Sequence, residues 1–195
     1  MRKIVLASGS PRRRELLRGL DLPFEVRLKK DIKEYYPNTL AADKVPEFIS
    51  REKAAAYTVG VDEILLTADT IVELDGKIFG KPKDEQEACR MLSELSGRTH
   101  RVITGVTLTS SERQHSFSVT TEVTFKPLSV EEIHYYVSHY HPLDKAGAYG
   151  IQEWIGFIGC TGLKGSYYNV MGLPVCALGQ VLKQIAPEWM EEQQA

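Results

Sequence analysis

The sequence has no long apolar segment and almost no excess of charge. Its apolar runs stay well short of the roughly 18 residues that a membrane-spanning helix needs, so we expect no contact with a membrane. Lysine and arginine number 24 against 26 aspartate and glutamate residues, giving a formal net charge of −2. A broad nucleic-acid-binding surface usually carries a clear basic excess. We therefore expect no polymeric nucleic acid as a partner.

Cysteine is also scarce. The chain has three widely spaced cysteines, Cys89, Cys160 and Cys176, and neither a CxxC pair nor an HExxH segment, which argues against a zinc site. The apolar start at residues 3–7 gives way at once to serine, glycine and proline. A secretory signal needs an apolar stretch of about seven to fifteen residues. We therefore predict reduced thiols and a cytoplasmic location.

The length and the composition are those of a globular protein. The chain has 195 residues, of which 43% are hydrophobic and 26% charged. This size predicts a single domain over residues 1–195, large enough to enclose a core and to form two lobes around a cleft.

Strand and helix patterns alternate along the chain. Apolar runs and alternation predict strands at residues 3–7, 64–74, 100–108 and 116–125. Spacing by 3.6 residues predicts helices at residues 42–57, 84–95 and 174–185. Ser10 followed by Pro11 predicts a further helix start, as does the capping box that begins at Ser129. The mixture predicts an α/β or α+β fold with a mixed sheet.

The first candidate site is the segment 8–14 (SGSPRRR). Arginines in a first helical turn oppose the positive end of the helix dipole, so an anion is expected nearby. The serine hydroxyls, the turn N–H groups and the guanidinium groups suit a phosphate chain. The structural alternative is a solvated basic turn that only caps the helix.

The second candidate is Asp69, which lies inside the apolar strand at residues 64–74. A carboxylate in such a strand must be hydrogen-bonded, paired or bound to metal, and active sites are rich in such groups. A structural aspartate bonded to a neighbouring turn is the alternative. Lys53 and Lys81 are candidate partners, although each could also be an ordinary surface lysine.

The third candidate is the segment 144–152 (DKAGAYGIQ). Its small residues would let a ligand approach the backbone closely, and the Gln152 amide can pair with the edge of a base. Two histidines, His139 and His141, are better explained as exposed residues near a helix end than as ligands.

Seven segments together resemble the Maf family of nucleoside triphosphate pyrophosphatases, in the order in which that family carries them. They are residues 8–13 (SGSPRR), 51–54 (REKA), 68–72 (ADTIV), 80–82 (GKP), 95–100 (LSGRTH), 144–152 (DKAGAYGIQ) and 170–174 (VMGLP). The resemblance implies an elongated mixed α/β fold with flanking helices and a central cleft, similar to inosine triphosphate pyrophosphatases. It also implies a homodimer.

The resemblance further implies hydrolysis between the α and β phosphates of a nucleotide, with a divalent cation, Mg²⁺ or Mn²⁺, as cofactor. Asp69 falls at the position of the family's proton acceptor. The specificity positions fall on Arg12, Thr70 and Gln152, which resemble the subgroup acting on dTTP and UTP rather than the one that prefers 7-methyl-GTP. This subgroup would remove unwanted nucleotides from the cellular pool.

Phosphate transfer depends on positioning and charge neutralisation, which suggests roles for the remaining polar residues. Ser8, Arg13, Lys53 and Lys81 would hold the triphosphate. Glu34 would share the metal with Asp69, because Mg²⁺ favours one or two carboxylates plus substrate phosphates. Two positions depart from the family pattern, Lys33 at a commonly acidic position and Glu153 where glycine is frequent.

A different class of function is a regulatory protein, since the family is named for inhibition of septum formation in cell division. That hypothesis predicts an effect on division that survives the loss of hydrolysis. A nucleic-acid binder that uses residues 12–14 is a third possibility, disfavoured by the net charge of −2.

Overall fold

The computed structural model describes residues 2–30, 32 and 34–187. Its strands are β1 (Lys3–Leu6), β2 (Phe24–Val26), β3 (Glu63–Leu74), β4 (Lys77–Phe79), β5 (Thr99–Thr109), β6 (Gln114–Phe125) and β7 (Cys160–Lys164). Its helices are α1 (Pro11–Arg18), α2 (Val45–Ala55), α3 (Glu85–Leu95), α4 (Val130–Tyr140), α5 (Trp154–Gly159), α6 (Tyr167–Met171) and α7 (Val175–Ile185). Short 3₁₀ turns lie at Ala42–Lys44 and Ala146–Ala148. Within the described ranges, no helix has both the length and the apolar character that a membrane crossing requires.

The strands form one mixed sheet. Its order is β2-β1-β3-β5-β6-β7, and β4 pairs with β3 beside this path. β1 is parallel to both neighbours, with Ile4 opposite Phe24 on β2 and Ile64 on β3. The pairs β3–β4 and β6–β7 are antiparallel. Helices interleaved with a sheet of both pairing types confirm the predicted mixed α/β class.

The chain forms two compact units. The first is built from residues 1–69, 104–119 and 172–195, as far as these are described, and the second from residues 70–103 and 120–171. β3, β5 and β6 each contribute residues to both units. The arrangement of one domain as two lobes around a cleft stays a prediction.

Each unit has its own apolar core. In the first unit, Val5 on β1 and Leu65 on β3 pack with Ala54 of α2. In the second unit, the core cluster includes Leu92 of α3 and Tyr136 of α4, both fully buried. The apolar faces of the helices therefore cover the sheet, as their periodicity predicts.

The predicted helix starts are confirmed by their caps. The Ser10 hydroxyl accepts the Arg13 N–H at 3.4 Å, and Pro11 is the first residue of α1. The Ser129 hydroxyl and the Glu132 carboxylate form the predicted capping box of α4. The turn at Asp75-Gly76 joins β3 to β4 with both residues at positive φ. The four short elements β2, α5, β7 and α6 were not predicted.

Candidate active site

The segment 8–14 comprises the end of the turn between β1 and α1, at residues 8–10, and the first turn of α1. The Ser8 hydroxyl accepts hydrogen bonds from the Ser10 N–H at 3.3 Å and from Arg13 Nη1 at 3.4 Å. Gly9 is exposed, and a Cβ at its position would have no atom within 4 Å. The turn therefore combines a hydroxyl, a guanidinium group and open space beside its backbone.

Arg13 is held inside the first unit by backbone and side-chain contacts. Its Nε donates to the Gly172 carbonyl at 2.8 Å, which joins α1 to the segment that precedes α7. Loss of hydration lowers the pKa of the Arg13 guanidinium, while attraction to Asp69 and Glu34 acts in the opposite direction. This cation thus lies within electrostatic range of both candidate carboxylates. Arg12 is partly buried beside it on α1.

Two carboxylates share the ammonium group of Lys53. Lys53 Nζ lies 2.7 Å from Asp69 Oδ1 and 2.9 Å from Glu34 Oε1. The side chains of Lys53 and Asp69 are 14% and 11% exposed, whereas that of Glu34 is 46% exposed. Ion pairs that are mostly withdrawn from water are screened less than surface pairs. The structure therefore brings together three residues predicted to act in catalysis.

The position of Lys53 depends on how α2 is attached to the sheet. The Thr67 hydroxyl of β3 donates to the Ser50 carbonyl at 2.7 Å, and the hydroxyls of Ser50 and Thr107 are hydrogen-bonded at 2.7 Å. These buried bonds fix the helix turn just before Lys53 to strands β3 and β5. Since Asp69 also lies on β3, the same bonds set the spacing between Lys53 and Asp69.

A glycine on β5 lets α2 approach this closely. A Cβ at Gly105 would lie 2.2 Å from both the Glu47 nitrogen and the Pro46 carbonyl carbon. Such distances are far inside van der Waals contact, so α2 could not keep its place over any other residue at this position.

The carboxylate pair fits the predicted divalent cation. Mg²⁺ is commonly bound by one or two carboxylates together with substrate phosphates, and Glu34 and Asp69 converge on the same ammonium group. In the part of the chain that the structure describes, no group of three or more His, Cys, Asp or Glu side chains could hold a metal ion. Lys33, the departure from the family pattern, lies outside the described residues.

Lys81 belongs to the second unit. It is exposed after β4, and the Gly147 N–H donates to the carbonyl of the preceding residue, Gly80, at 3.1 Å. Gly147 has φ +67, and a Cβ there would lie 2.8 Å from Val72 Cγ2. Gly147, in segment 144–152, is therefore needed to fix the loop that carries Lys81.

Gln152 also belongs to the second unit, on a turn before α5. Its amide oxygen is buried and has no hydrogen-bond partner among the described residues. A buried acceptor without a partner is unfavourable, and a donor on a bound ligand would satisfy it. Thr70, which also belongs to this unit and is also a predicted specificity position, is partly buried and directly follows Asp69 on β3.

Two further polar residues were not assigned a role from the sequence. Tyr136 on α4 and Lys145 are both buried and both contact Glu153, next to Gln152. Lys145 lies within a family segment, but Tyr136 lies in no recognised motif and only the fold brings it to this turn. His139 and His141 are exposed at the end of α4, as expected.

Comparison with known proteins gives distant solved structures and closely related sequences. A HAM1 protein from Coxiella burnetii has 17% identity and a TM-score of 0.42, covering 64% of this chain and 73% of that chain, too low for any inference. A dTTP/UTP pyrophosphatase of Phocaeicola vulgatus is 59% identical over 185 residues, covering 94% of this chain and 96% of the relative. The proteins of the same name in Bacteroides fragilis and Flavobacterium psychrophilum are 55% and 49% identical, covering 94% and 88% of this chain and 96% and 89% of their own.

The profile of the Maf-like protein family matches residues 3–185. This match spans both units and contains all seven segments on which the resemblance rested. The profile covers nearly the whole sequence, and the relatives align with this chain over almost their full length. The chain therefore belongs to the Maf-like family.

Proposed function

We propose that this protein hydrolyses dTTP and UTP to the nucleoside monophosphate and pyrophosphate, and so clears these or related pyrimidine nucleotides from the cellular pool. The observation that carries the proposal is the Asp69 carboxylate, withdrawn from water and bonded to Lys53 at 2.7 Å. Relatives named dTTP/UTP pyrophosphatase at 49% to 59% identity support the choice of substrate.

Asp69 would accept a proton from the attacking water. A general base must lie within hydrogen-bond reach of the proton that it removes, and the hydrogen bond from Lys53 orients this carboxylate. The water oxygen then joins the phosphoryl group, the anhydride bond between the α and β phosphates breaks, and pyrophosphate leaves.

The cations of the first unit would hold the triphosphate. Arg13 offers a guanidinium group fixed by Gly172 and Ser8, and Lys53 offers an ammonium group. Ser8 and Arg12 of the same unit would supply further donors, as would Lys81, which belongs to the second unit. A Mg²⁺ or Mn²⁺ ion held by Glu34 and Asp69 would, when bound, neutralise charge on the phosphates.

The Gln152 amide oxygen, which has no hydrogen-bond partner among the described residues, supports recognition of uracil or thymine. Both bases carry an N–H at ring position 3, which can donate to a carbonyl oxygen. Arg12 and Thr70 would complete the selection. A site built around such a bond loses it with the wrong base.

The proposal is tested by incubating the protein and Mg²⁺ with a panel of nucleoside triphosphates and resolving the products by phosphorus NMR. We expect pyrophosphate and the monophosphate, with UTP and dTTP consumed much faster than GTP and ATP. Orthophosphate together with a diphosphate would contradict the bond assignment. Equal kcat/KM for all bases, or a preference for 7-methyl-GTP, would contradict the specificity.

The homodimer remains a prediction from the family resemblance, and the cytoplasmic location remains a prediction from the sequence. Light scattering coupled to size-exclusion chromatography should give twice the mass of the 21.9 kDa chain. A monomer mass at all protein concentrations would remove the dimer from the proposal.

A further inference from the structure

Residues 150–153 form a tight turn whose third member is Gln152. The Glu153 N–H donates to the Gly150 carbonyl at 3.0 Å and so closes the turn. The second member, Ile151, is buried in the core of the second unit. The backbone on both sides of Gln152 is therefore fixed by a hydrogen bond and by packing.

One hydroxyl group binds both ends of this turn. The Gly150 N–H donates to the Tyr136 hydroxyl at 3.0 Å, and the Tyr136 hydroxyl donates to Glu153 Oε2. Tyr136 is fully buried on α4. Burial and the neighbouring carboxylate raise the pKa of the phenol, which keeps the hydroxyl protonated and able to donate.

The Glu153 carboxylate is held from its other side as well. Its Oε1 lies 3.2 Å from Nζ of the buried Lys145, which also contacts Asp144 at 2.7 Å. A Cβ at Gly150 would lie 2.8 Å from Glu153 Cδ, so the carboxylate folds tightly back over the start of the turn. Glu153 thus connects the turn to a buried ammonium group as well as to Tyr136.

Within this fixed turn, the Gln152 amide oxygen is buried and lacks a hydrogen-bond partner among the described residues. An acceptor held in place before the ligand arrives forms its bond without a further ordering cost. Cytosine has no hydrogen at ring position 3 and presents an acceptor there, so it cannot donate to this oxygen at that position.

We propose that Tyr136 is a positioning residue for base selection. Its hydroxyl closes the turn at residues 150–153 and thereby holds the Gln152 oxygen ready for the N3–H of uracil or thymine. This inference rests on the proposed pyrimidine specificity, and it adds a residue on α4 that touches no substrate but sets the discrimination of UTP from CTP.

The test compares Tyr136→Phe with the parent protein and with Tyr140→Phe. Tyr140 is exposed on the same helix, and its ring stacks on Tyr136 at 5.1 Å between centroids, so the control removes a hydroxyl one helical turn away. We expect Tyr136→Phe to lower the ratio of kcat/KM for UTP over CTP by about tenfold, as for the loss of one buried hydrogen bond. Tyr140→Phe should leave the ratio unchanged. An equal fall in both rates would overturn the proposal, because it would show a structural effect without base selection.

Glu153→Ala serves as a second variant in case Tyr136→Phe does not fold. It removes the acceptor of the Tyr136 hydroxyl at the other end of the turn, and we expect the same fall in the UTP-to-CTP ratio. A parental ratio in a folded Glu153→Ala protein would also overturn the proposal.

Amide hydrogen exchange separates failure of this inference from failure of the proposed function. Without nucleotide, the amides of residues 150–153 should exchange about tenfold faster in Tyr136→Phe or Glu153→Ala, and at the parental rate in Tyr140→Phe. Parental exchange in the first two variants would refute the role of Tyr136 whatever base the enzyme prefers. Faster exchange in those two variants, together with equal hydrolysis of all bases by the parent protein, would instead refute the pyrimidine specificity and, with it, the selective role of the turn.

Discussion

The carboxylate of Asp69 lies in β3, whose residues from Ile64 to Leu74 are mostly apolar and, except for Thr70, buried. A charge in such surroundings is stable only with a partner, and here the partner is the ammonium group of Lys53. Replacing one member of a pair withdrawn from water leaves the other uncompensated. Lys53 keeps a second carboxylate, Glu34, so the charge at Asp69 can be removed without leaving this lysine unpaired.

We therefore expect Asp69→Asn to fold and bind nucleotide but to lose hydrolysis by a factor of about 10² to 10⁴, the usual contribution of a general base. Asparagine has nearly the same shape but cannot accept the proton. A pyrophosphate-release assay, a nucleotide titration and a thermal melt would be made on this variant and on Asp62→Asn, an exposed control on the loop before β3. Retention of more than about a tenth of the parental rate would mean that Asp69 is not the base.

His100 is a buried residue with an effect on stability rather than on catalysis. Its Nε2 is hydrogen-bonded to the Tyr149 hydroxyl at 2.7 Å, and Nδ1 is buried without a partner in the described part of the chain. Burial lowers the pKa of the imidazole to about 4 from 6.5. Between these values the unfolded chain binds a proton that the folded protein does not, so stability is complete above about pH 6.5 and falls as the pH is lowered.

The free energy of unfolding should therefore fall by up to about 3 kcal/mol between about pH 6.5 and pH 4 on account of this residue. Urea unfolding at several pH values in this window would measure the change. His100→Gln should be less stable at neutral pH but show a flatter dependence, while His139→Gln, a change at an exposed histidine, should keep the parental slope. A parental slope in His100→Gln would contradict the assignment.

At the residue scale, the sequence predicts which groups matter better than it predicts their partners. Asp69 stands out because a carboxylate interrupts an apolar strand, and Arg13 because the first turn of α1 has basic residues and no acidic ones. Tyr136 has no such signal. It is one of several aromatic residues on α4. Its contact with Gly150, 14 residues further along the chain, depends on how that helix packs on the turn.

At the element scale, the position of α2 depends on the missing side chain of Gly105 as much as on the hydrogen bonds of the helix itself. Its first turn lies directly over Gly105 of β5, and its Ser50 is bonded to Thr67 and Thr107. Lys53 lies about one helical turn after Ser50, so the bonds of Ser50 also fix the position of Lys53.

Gly105→Ala should consequently displace α2. Overpacking of a tight contact typically costs about 1 to 3 kcal/mol, and a clash with backbone has no flexible side chain to relieve it. We expect a lower melting temperature and a marked loss of hydrolysis. Gly179→Ala is the matched control, since a Cβ there meets no atom within 4 Å and alanine is favoured over glycine inside α7. Unchanged stability and activity in Gly105→Ala would show that α2 does not depend on this contact.

The elements whose bounds are predicted from periodicity are long enough to show a period. β3 and α3 have 12 and 11 residues, and their predicted bounds differ from the observed ones by one residue, whereas for α4 only the start at Ser129 is predicted, from its capping box. β2, β7, α5 and α6 have only 3 to 6 residues, too few for a repeat of 3.6 or 2 to emerge. Their conformation is imposed by pairing and packing with residues distant in sequence.

At the scale of the whole molecule, strands join the two units. The chain passes between the units within β3, within β5 and within β6, so each of these strands would be cut in two if one unit unfolded alone. We expect one cooperative unfolding transition, with a calorimetric enthalpy equal to the van 't Hoff enthalpy. Two transitions, or an enthalpy ratio well above one, would show that the units unfold independently.

The bond from Arg13 to the Gly172 carbonyl also bears on how the protein is made. The first unit begins with β1 and α1 but also includes residues 104–119 and the segment from Gly172 onward. During translation, the turn that precedes Arg13 is synthesised before Gly172, so the guanidinium group has no backbone acceptor there until residue 172 has emerged from the ribosome. The nascent chain therefore lacks this contact until the segment from Gly172 onward joins the unit to which β1 and α1 belong.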